Sequence, residues 1–458
     1  MSIHSFFHQS GKIMRKISLS ALGFYLSIVN SFAQVKSVEK DTAYKSRTLK
    51  LEEVNLVSSY YKQDGNHSAV TGGIGTEKLI DLANTIDLKF TRWTSNKHQH
   101  SIGVELGLDS YSSASSDKID PSTSSNGTGQ TGPGGRPPRG GHGSTSGASS
   151  SSGSSLSSLV SVGSISSASG YDKRFYPSVN WAVSNKDNGV TIGANASYST
   201  EYDYESIGGG LNFTKISKDK SRELGVKASA FFDTWKVIYP IELRPAGYGT
   251  GSEHDNGMVD YAPRNSFSVA FSLAQIVNQR LQVSAVVEPS FQKGLLATKY
   301  QRVYFTDGSA QAETLPDQRW KLPIGLRASY FAGDRVILRG GYRFYTDQWG
   351  LAAHTANIET AIKLSPFCSI SPFYRLYSQS AAKYFAAYKE HAATDTYYTS
   401  DYDLSKLTSQ TFGAGIRFVP EFGVLGIKHF YMLELRYAHF SRSTDLVSNI
   451  VSVNMKFK

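Results

Sequence analysis

The sequence predicts an all-β protein, a transmembrane antiparallel up-and-down β-barrel of about 16 strands, with long loops at one end and short turns at the other. Three observations predict it. Apolar and polar residues alternate through long segments from Leu51 onward. The spacers between those segments alternate in length. The last residues form a regular strand with no turn, cap or polar tail after it.

Alternation is the first of these. In "TIDLKFTRW" (Thr85–Trp93), Ile86, Leu88 and Phe90 share one face and Asp87 and Lys89 the other, the period of two that an extended strand imposes. "SIGVELGLD" (Ser101–Asp109) repeats the pattern, as do "FSVAFSL" (Phe267–Leu273), "LPIGLRASY" (Leu322–Tyr330), "NIETAIKL" (Asn357–Leu364) and "TFGAGIRF" (Thr411–Phe418). In "YMLELRYAH", the residues Tyr431, Leu433, Leu435 and Tyr437 read as the lipid face, and Glu434 and Arg436 as the inner face. A soluble sandwich also alternates, but its strands run to ~5–6 residues, about half the length of these.

The spacers are the second. Short ones, such as "NKDNG" (Asn185–Gly189), "SKDKS" (Ser217–Ser221), "VNQR" (Val277–Arg280) and "AGDR" (Ala332–Arg335), interleave with long ones at 62–83, 112–170, 240–263, 296–316 and 384–409. Short periplasmic turns opposite long extracellular loops are the signature of an outer-membrane barrel. Fourteen strands is the alternative count, because the segment Leu51–Tyr61 and the hairpin near Thr200–Ile207 carry the weakest pattern. The tryptophans Trp93, Trp181, Trp235, Trp320 and Trp349 all fall near predicted strand ends, where interfacial girdles lie, although Trp93 has inward parity.

The chain's end, "NIVSVNMKFK" (Asn449–Lys458), is the third. Val451, Val453, Met455 and Phe457 share one face, with Ser452, Asn454 and Lys456 on the other. An unpaired strand recruits other chains, and closing it against the first strand of a barrel removes that edge.

The remaining composition agrees. Lys12, Arg15 and Lys16 precede an apolar run, "ISLSALGFYLSIV" (Ile17–Val29), and Ser31 and Ala33 offer a cleavage site before Gln34. That run is short of the ~20 residues a spanning helix needs, so it reads as an export signal. The expected organisation is a signal peptide at 1–33, a periplasmic N-terminal segment at 34–50, and a barrel over 51–458 carrying a low-complexity extracellular loop at 112–169. That loop includes "GPGGRPPRGGHG" (Gly132–Gly143), a composition unable to build a core. The one cysteine, Cys368, cannot form an internal disulfide. The formal charge is +10 without a dense Lys/Arg block, which argues against nucleic acid as a partner.

Several long motifs resemble an uncharacterised family of predicted outer-membrane proteins, domain of unknown function 3570. They are "EYDYESIGGGLNF" (Glu201–Phe213), "FFDTWKVIYPIELRP" (Phe231–Pro245), "LPDQRWKLPIGLR" (Leu315–Arg327), "GYRFYTDQWGLAAHT" (Gly341–Thr355), "SPFYRLYSQ" (Ser371–Gln379) and "YYTSDYDLS" (Tyr397–Ser405). The resemblance covers most of the mature chain and departs from the family pattern in the insert between Lys118 and Val160. It implies a β-barrel and brings no catalytic residues. The family's association with flavin-transferase and thioredoxin-like proteins implies periplasmic redox or flavin-related partners.

Inward parity collects the candidate lumen charges: Glu105, Lys227, Glu288, Arg327, Arg339, Arg343, Glu359, Arg375, Arg417, Glu434 and Arg436. Arginines lining a pore favour anions, whereas Arg–Glu pairs brace the wall. Asp401 and Asp403 in "TSDYDLS", and Glu253, His254 and Asp255 in "GSEHDNG", are the candidate metal ligands, against the commoner use of such residues in turns. His439, Ser441 and Asp445 are the nearest approach to a hydrolase constellation, and one strand does not assemble a triad unaided. "GGIG" (Gly72–Gly75) and "GGG" (Gly208–Gly210) lack the strand-to-helix setting of phosphate loops. No enzyme activity and no cofactor are expected. The expectation is a barrel inserted in the outer-membrane bilayer by the assembly machinery there, acting as a conduit for small polar or anionic solutes. The alternative is a closed barrel serving as scaffold for an exported assembly, with an outer-membrane hydrolase a remote third.

Overall fold

Long alternating segments become long strands because each can bury one face against lipid and hydrate the other, provided every backbone N–H and C=O pairs within the sheet. A computed structural model shows that arrangement. It describes residues 48–94, 98–113, 171–240, 243 and 260–458. The expected export signal, most of the 34–50 segment, nearly all of the low-complexity stretch and residues 251–257 ("GSEHDNG") lie outside the described residues.

The first half of the wall is β1 (Lys50–Gly65), β2 (Leu79–Trp93), β3 (His98–Ser113), β4 (Tyr171–Asn185), β5 (Val190–Thr200), β6 (Tyr204–Ile216), β7 (Arg222–Lys236) and β8 (Tyr261–Ile276). Next come β9 (Leu281–Val287) and β10 (Ser290–Gly294), then a small loop hairpin of β11 (Arg302–Tyr304) and β12 (Ala310–Ala312). The wall resumes with β13 (Gln318–Phe331), β14 (Val336–Asp347), β15 (Ala352–Lys363), β16 (Cys368–Gln379), β17 (Leu407–Phe418), β18 (Phe430–Arg442) and β19 (Leu446–Phe457). Both β9 and β10 pair with β8 on one side and β13 on the other, so they are halves of one wall strand. Pro289 has no N–H to give the ladder, and the chain steps around it. Glu288 N donates to Pro323 O and Val269 N to Pro289 O, each at 3.1 Å, which keeps the neighbouring strands satisfied.

The result is a closed antiparallel barrel of 16 strands. Closure runs through β1 and β19, with Val54 opposite Phe457, Ser58 opposite Val453 and Tyr61 opposite Ile450. Both segments with the weakest sequence pattern are present: β1 is a wall strand, beginning at Lys50, and residues 201–203 turn β5 into β6. Among the described residues, the short turns at 186–189, 217–221, 277–280, 332–335 and 364–367 lie at one end, as the short spacers predict. The alternation of loop length is looser than expected, however. Residues 419–429 make a long connection at the turn end, while residues 201–203, 348–351 and 443–445 make tight ones at the loop end.

The outer face is apolar. Leu211, Phe232, Phe271, Leu326, Ile358, Phe412 and Leu435 are all exposed, a belt far larger than a water-facing surface carries. In β18 the parity is plain, since Leu435 is 45% exposed and Glu434 only 6%. Of the tryptophans, Trp181 and Trp320 are exposed, as a girdle requires, but Trp235 and Trp349 are buried. The inward pair departs from the girdle expectation because each ring stacks under an arginine: Arg264 over Trp235 at 4.8 Å and Arg319 over Trp349 at 4.0 Å. Buried apolar residues collect inside the barrel, where Tyr61, Leu79, Tyr111, Ala438 and Ile450 cluster against Phe373.

Candidate functional site: the charged lumen and its mouth

The inner wall is organised by a ladder of arginines and glutamates. Arg339 Nη1 donates to Glu359 Oε1 at 2.8 Å, and Arg436 Nη2 to Glu359 Oε2 at 2.8 Å. Arg436 Nη1 also reaches Glu434 Oε1 at 3.1 Å, and Arg417 Nε donates to Glu434 Oε2 at 2.8 Å. Glu359 stands on β15 and Arg436 on β18, so the Arg436 side chain crosses the inner surface of the two strands between them. Two glycines on β17 permit the crossing. A Cβ on Gly415 would sit 2.9 Å from Arg436 Cγ, and one on Gly413 would sit 2.7 Å from the Phe373 ring. The guanidinium lies 5.0 Å above that ring.

Two further pairs brace the wall toward the loop end. Arg264 donates to Asp233 Oδ2 from Nε at 2.9 Å and Nη2 at 2.7 Å, and Ser206 Oγ donates to Asp233 Oδ1 at 2.7 Å. Arg319 Nε donates to Asp347 Oδ2 at 3.0 Å, and the Tyr345 hydroxyl donates to the same oxygen at 2.8 Å. These partners are withdrawn from water, where a lone charge would be costly and a pair with hydrogen bonds is held.

Between these braces lies a cavity of about 990 Å³. Arg327 on β13 and Arg343 on β14 face it, beside Gly325, Gly340 and Gly341, and neither forms an ion pair among the described residues. Arg375 on β16 lines the same space.

The mouth above is built from three loops, at 66–78, 295–317 and 380–406. Arg302 Nη1 donates to Val70 O at 2.9 Å, tying the second loop to the first. Thr306 N donates to His391 O at 2.9 Å and Tyr398 N to Thr314 O at 2.8 Å, tying the second to the third. His67 stacks on Tyr402 at 3.8 Å, which joins first and third. Val303 and Phe305 pack with Tyr398 in a small core. Inside it, Glu313 accepts from Thr399 Oγ1 and Thr298 N, both at 2.5 Å. Burial pushes the Glu313 carboxyl up to about 7 against those two hydrogen bonds. At the floor of this cap, burial and the nearby Asp403 push Glu77 up to about 8, with Arg442 opposing.

The predicted inward residues therefore divide by partner. Arg339, Glu359, Arg417, Glu434 and Arg436 form the ladder. Lys227 and Glu288 attract one another on the opposite arc, and Glu105 faces Asp87. Asp401 Oδ1 caps a short 3₁₀ turn by accepting from Asp403 N at 2.9 Å, and Asp403 pairs with Arg442. His439 Nδ1 meets Asn449 Oδ1 at 3.0 Å on the barrel's outer side, with its ring 5.2 Å from that of Phe412 and tilted against it. Arg264, Arg319 and the whole cap lay beyond sequence reasoning. The aromatics beside them, "FFDTW" and "YTDQW", were the available signal.

No curated protein matches the chain in sequence. In fold, it is similar to a BenF-like porin from Pseudomonas fluorescens Pf-5, at 9% identity and TM-score 0.38, covering 88% of this chain and 98% of that one. The OccK1 (OpdK) structure from Pseudomonas aeruginosa is similar at 9% identity and TM-score 0.39, covering 89% and 98%. A mutant ferric enterobactin receptor from Pseudomonas aeruginosa is similar at 9% identity and TM-score 0.40, covering 86% and 54%. The profile for "Protein of unknown function (DUF3570)" matches residues 26–423, and the chain belongs to that family.

Proposed function

We propose that this protein is an outer-membrane barrel that passes small anionic solutes. The observation that carries the reading is the cationic patch of Arg327 and Arg343, which faces the cavity while the neighbouring arginines are spent on glutamates. Fixed guanidinium groups on a pore wall attract anions and repel cations. The apolar belt, the closed wall and the export signal support the outer-membrane location. The test is a planar bilayer holding the purified protein under a KCl gradient. A steady conductance with a reversal potential toward chloride is expected, and Arg327→Gln with Arg343→Gln should move that potential toward zero. A cation-selective pore overturns the reading.

The interlocked cap favours a second reading, in which the barrel is closed and serves as a scaffold for exported partners, the redox or flavin-related proteins implied by the family resemblance. A silent bilayer, together with periplasmic proteins that co-purify with the barrel, would replace the conduit by the scaffold.

A further inference from the structure

Away from the ladder, at the loop end of the wall, three carboxylates converge. Asp172 lies at the start of β4, and Glu201 and Asp203 flank Tyr202 in the turn from β5 to β6. One oxygen from each lies within 4.8 Å of the others. All three are withdrawn from solvent: Asp172 is 9% exposed, Asp203 5%, and the Glu201 side chain 2%.

Arg174 Nε stands 3.5 Å from Glu201 Oε1 and donates to Ser199 Oγ at 3.0 Å. Lys236 donates its backbone N–H to Asp203 O at 2.8 Å but lays its ammonium over the Tyr202 ring, 4.2 Å from the centroid. The Tyr111 hydroxyl lies 3.1 Å from Glu201 Oε2 and 3.4 Å from Asp172 Oδ2. Asp203 Oδ1 is buried without a hydrogen-bond partner. A buried carboxylate oxygen of this kind calls for a cation or a proton.

We propose that Asp172, Glu201 and Asp203 bind a calcium ion, which pins the start of β4 to the β5–β6 turn. Three oxygen donors of this hardness suit calcium, and oxygens within 4.8 Å of one another can be bridged by one ion at calcium–oxygen distances of roughly 2.3–2.6 Å. The remaining coordination positions belong to water or backbone carbonyls.

The test uses the purified, folded full-length protein stripped with EDTA. Terbium serves as the probe, because Tyr111 is close enough to sensitise its emission, and calcium serves as competitor. Saturable emission is expected, displaced by calcium with a Kd of about 10⁻⁴–10⁻³ M, the range of extracellular sites. Calcium should also raise the thermal unfolding midpoint relative to EDTA. Asp203→Asn keeps the shape and removes a charge, so it should weaken calcium at least about tenfold while leaving the midpoint in EDTA no lower. Asp172→Asn is the second variant should the first not fold. A wild-type protein with no saturable emission overturns the site, and so does a folded variant with unchanged calcium affinity.

Discussion

Single residues here carry opposite burdens depending on which side of the wall they face. Leu435 points to the apolar exterior and Arg436 to the ladder. An arginine in the lipid belt costs about 2–4 kcal/mol near the midplane. Removing Arg436 is milder than stranding a buried charge outright, because Glu359 keeps Arg339 and Glu434 keeps Arg417. Leu435→Arg should therefore destabilise the barrel more than Arg436→Leu does, as measured by urea unfolding in lipid vesicles. The reverse order would mean that the exterior packs against protein. Glu313 poses a different problem, since its carboxyl is raised to about 7 by burial. The folded state holds its proton more tightly than the unfolded chain, so the cap is most stable below about pH 4.5. It weakens as pH rises and carries the full penalty, on the order of 3 kcal/mol, above pH 7. Glu313→Gln keeps an acceptor for Thr298 N, and the Thr399 hydroxyl can turn to accept from the new amide. Its cap should lose less hydrogen-exchange protection between pH 5 and 8 than the wild type does, the remaining loss coming from Glu77, whose carboxyl is raised to about 8. An equal loss in both proteins would place the Glu313 pKa near its ordinary value.

At the scale of elements, strands succeed where the backbone can be satisfied and adapt where it cannot. The β9–β10 break keeps its ladder through the carbonyls of Pro289 and Pro323. The smooth surface of β17 at Gly413 and Gly415 lets a neighbouring strand's arginine lie flat. The last strand has the largest role, because β19 is bonded to β18 on one side and β1 on the other. Phe457 also stacks on Phe430, with centroids 4.7 Å apart. Deleting Val451–Lys458 opens two ladders at once and exposes both edges. Loss of the heat-modifiable folded band on gels is expected, with the chain left aggregated or degraded. Normal levels of folded truncated protein would show that closure does not depend on this segment.

For the whole molecule, the wall and the cap are held together by different means. The wall is one closed sheet, with its apolar face outward and paired charges inside. The cap is a small packed core of loops, with Phe305, Val303 and Val70 fully buried. The cap sits over the same lumen that Arg327 and Arg343 face, so conductance and cap stability should be linked. If the cap gates the lumen, conductance should rise as pH is raised from 5 to 8 and Glu313 ionises. That rise should be smaller in Glu313→Gln, where only Glu77 of the two raised carboxyls remains.

The sequence by itself determined the barrel. Side-chain parity has a period of two and is local, so inward and outward residues could be named strand by strand, and the final strand needed a partner wherever it lay. The inward charges were legible for the same reason. Their partners were not. Arg436 meets Glu359 from 77 positions away because closure and strand order bring β15 and β18 onto one arc, across glycines whose role only that contact reveals. Trp235 and Trp349 looked like girdle residues because position along a strand can be read locally, whereas the arginine that claims each ring comes from another strand. Asp172 and Asp203 were separated by a whole hairpin, and the cap joins loops hundreds of residues apart. Local periodicity dictates which face a side chain occupies, and only the closed tertiary fold decides what it meets there.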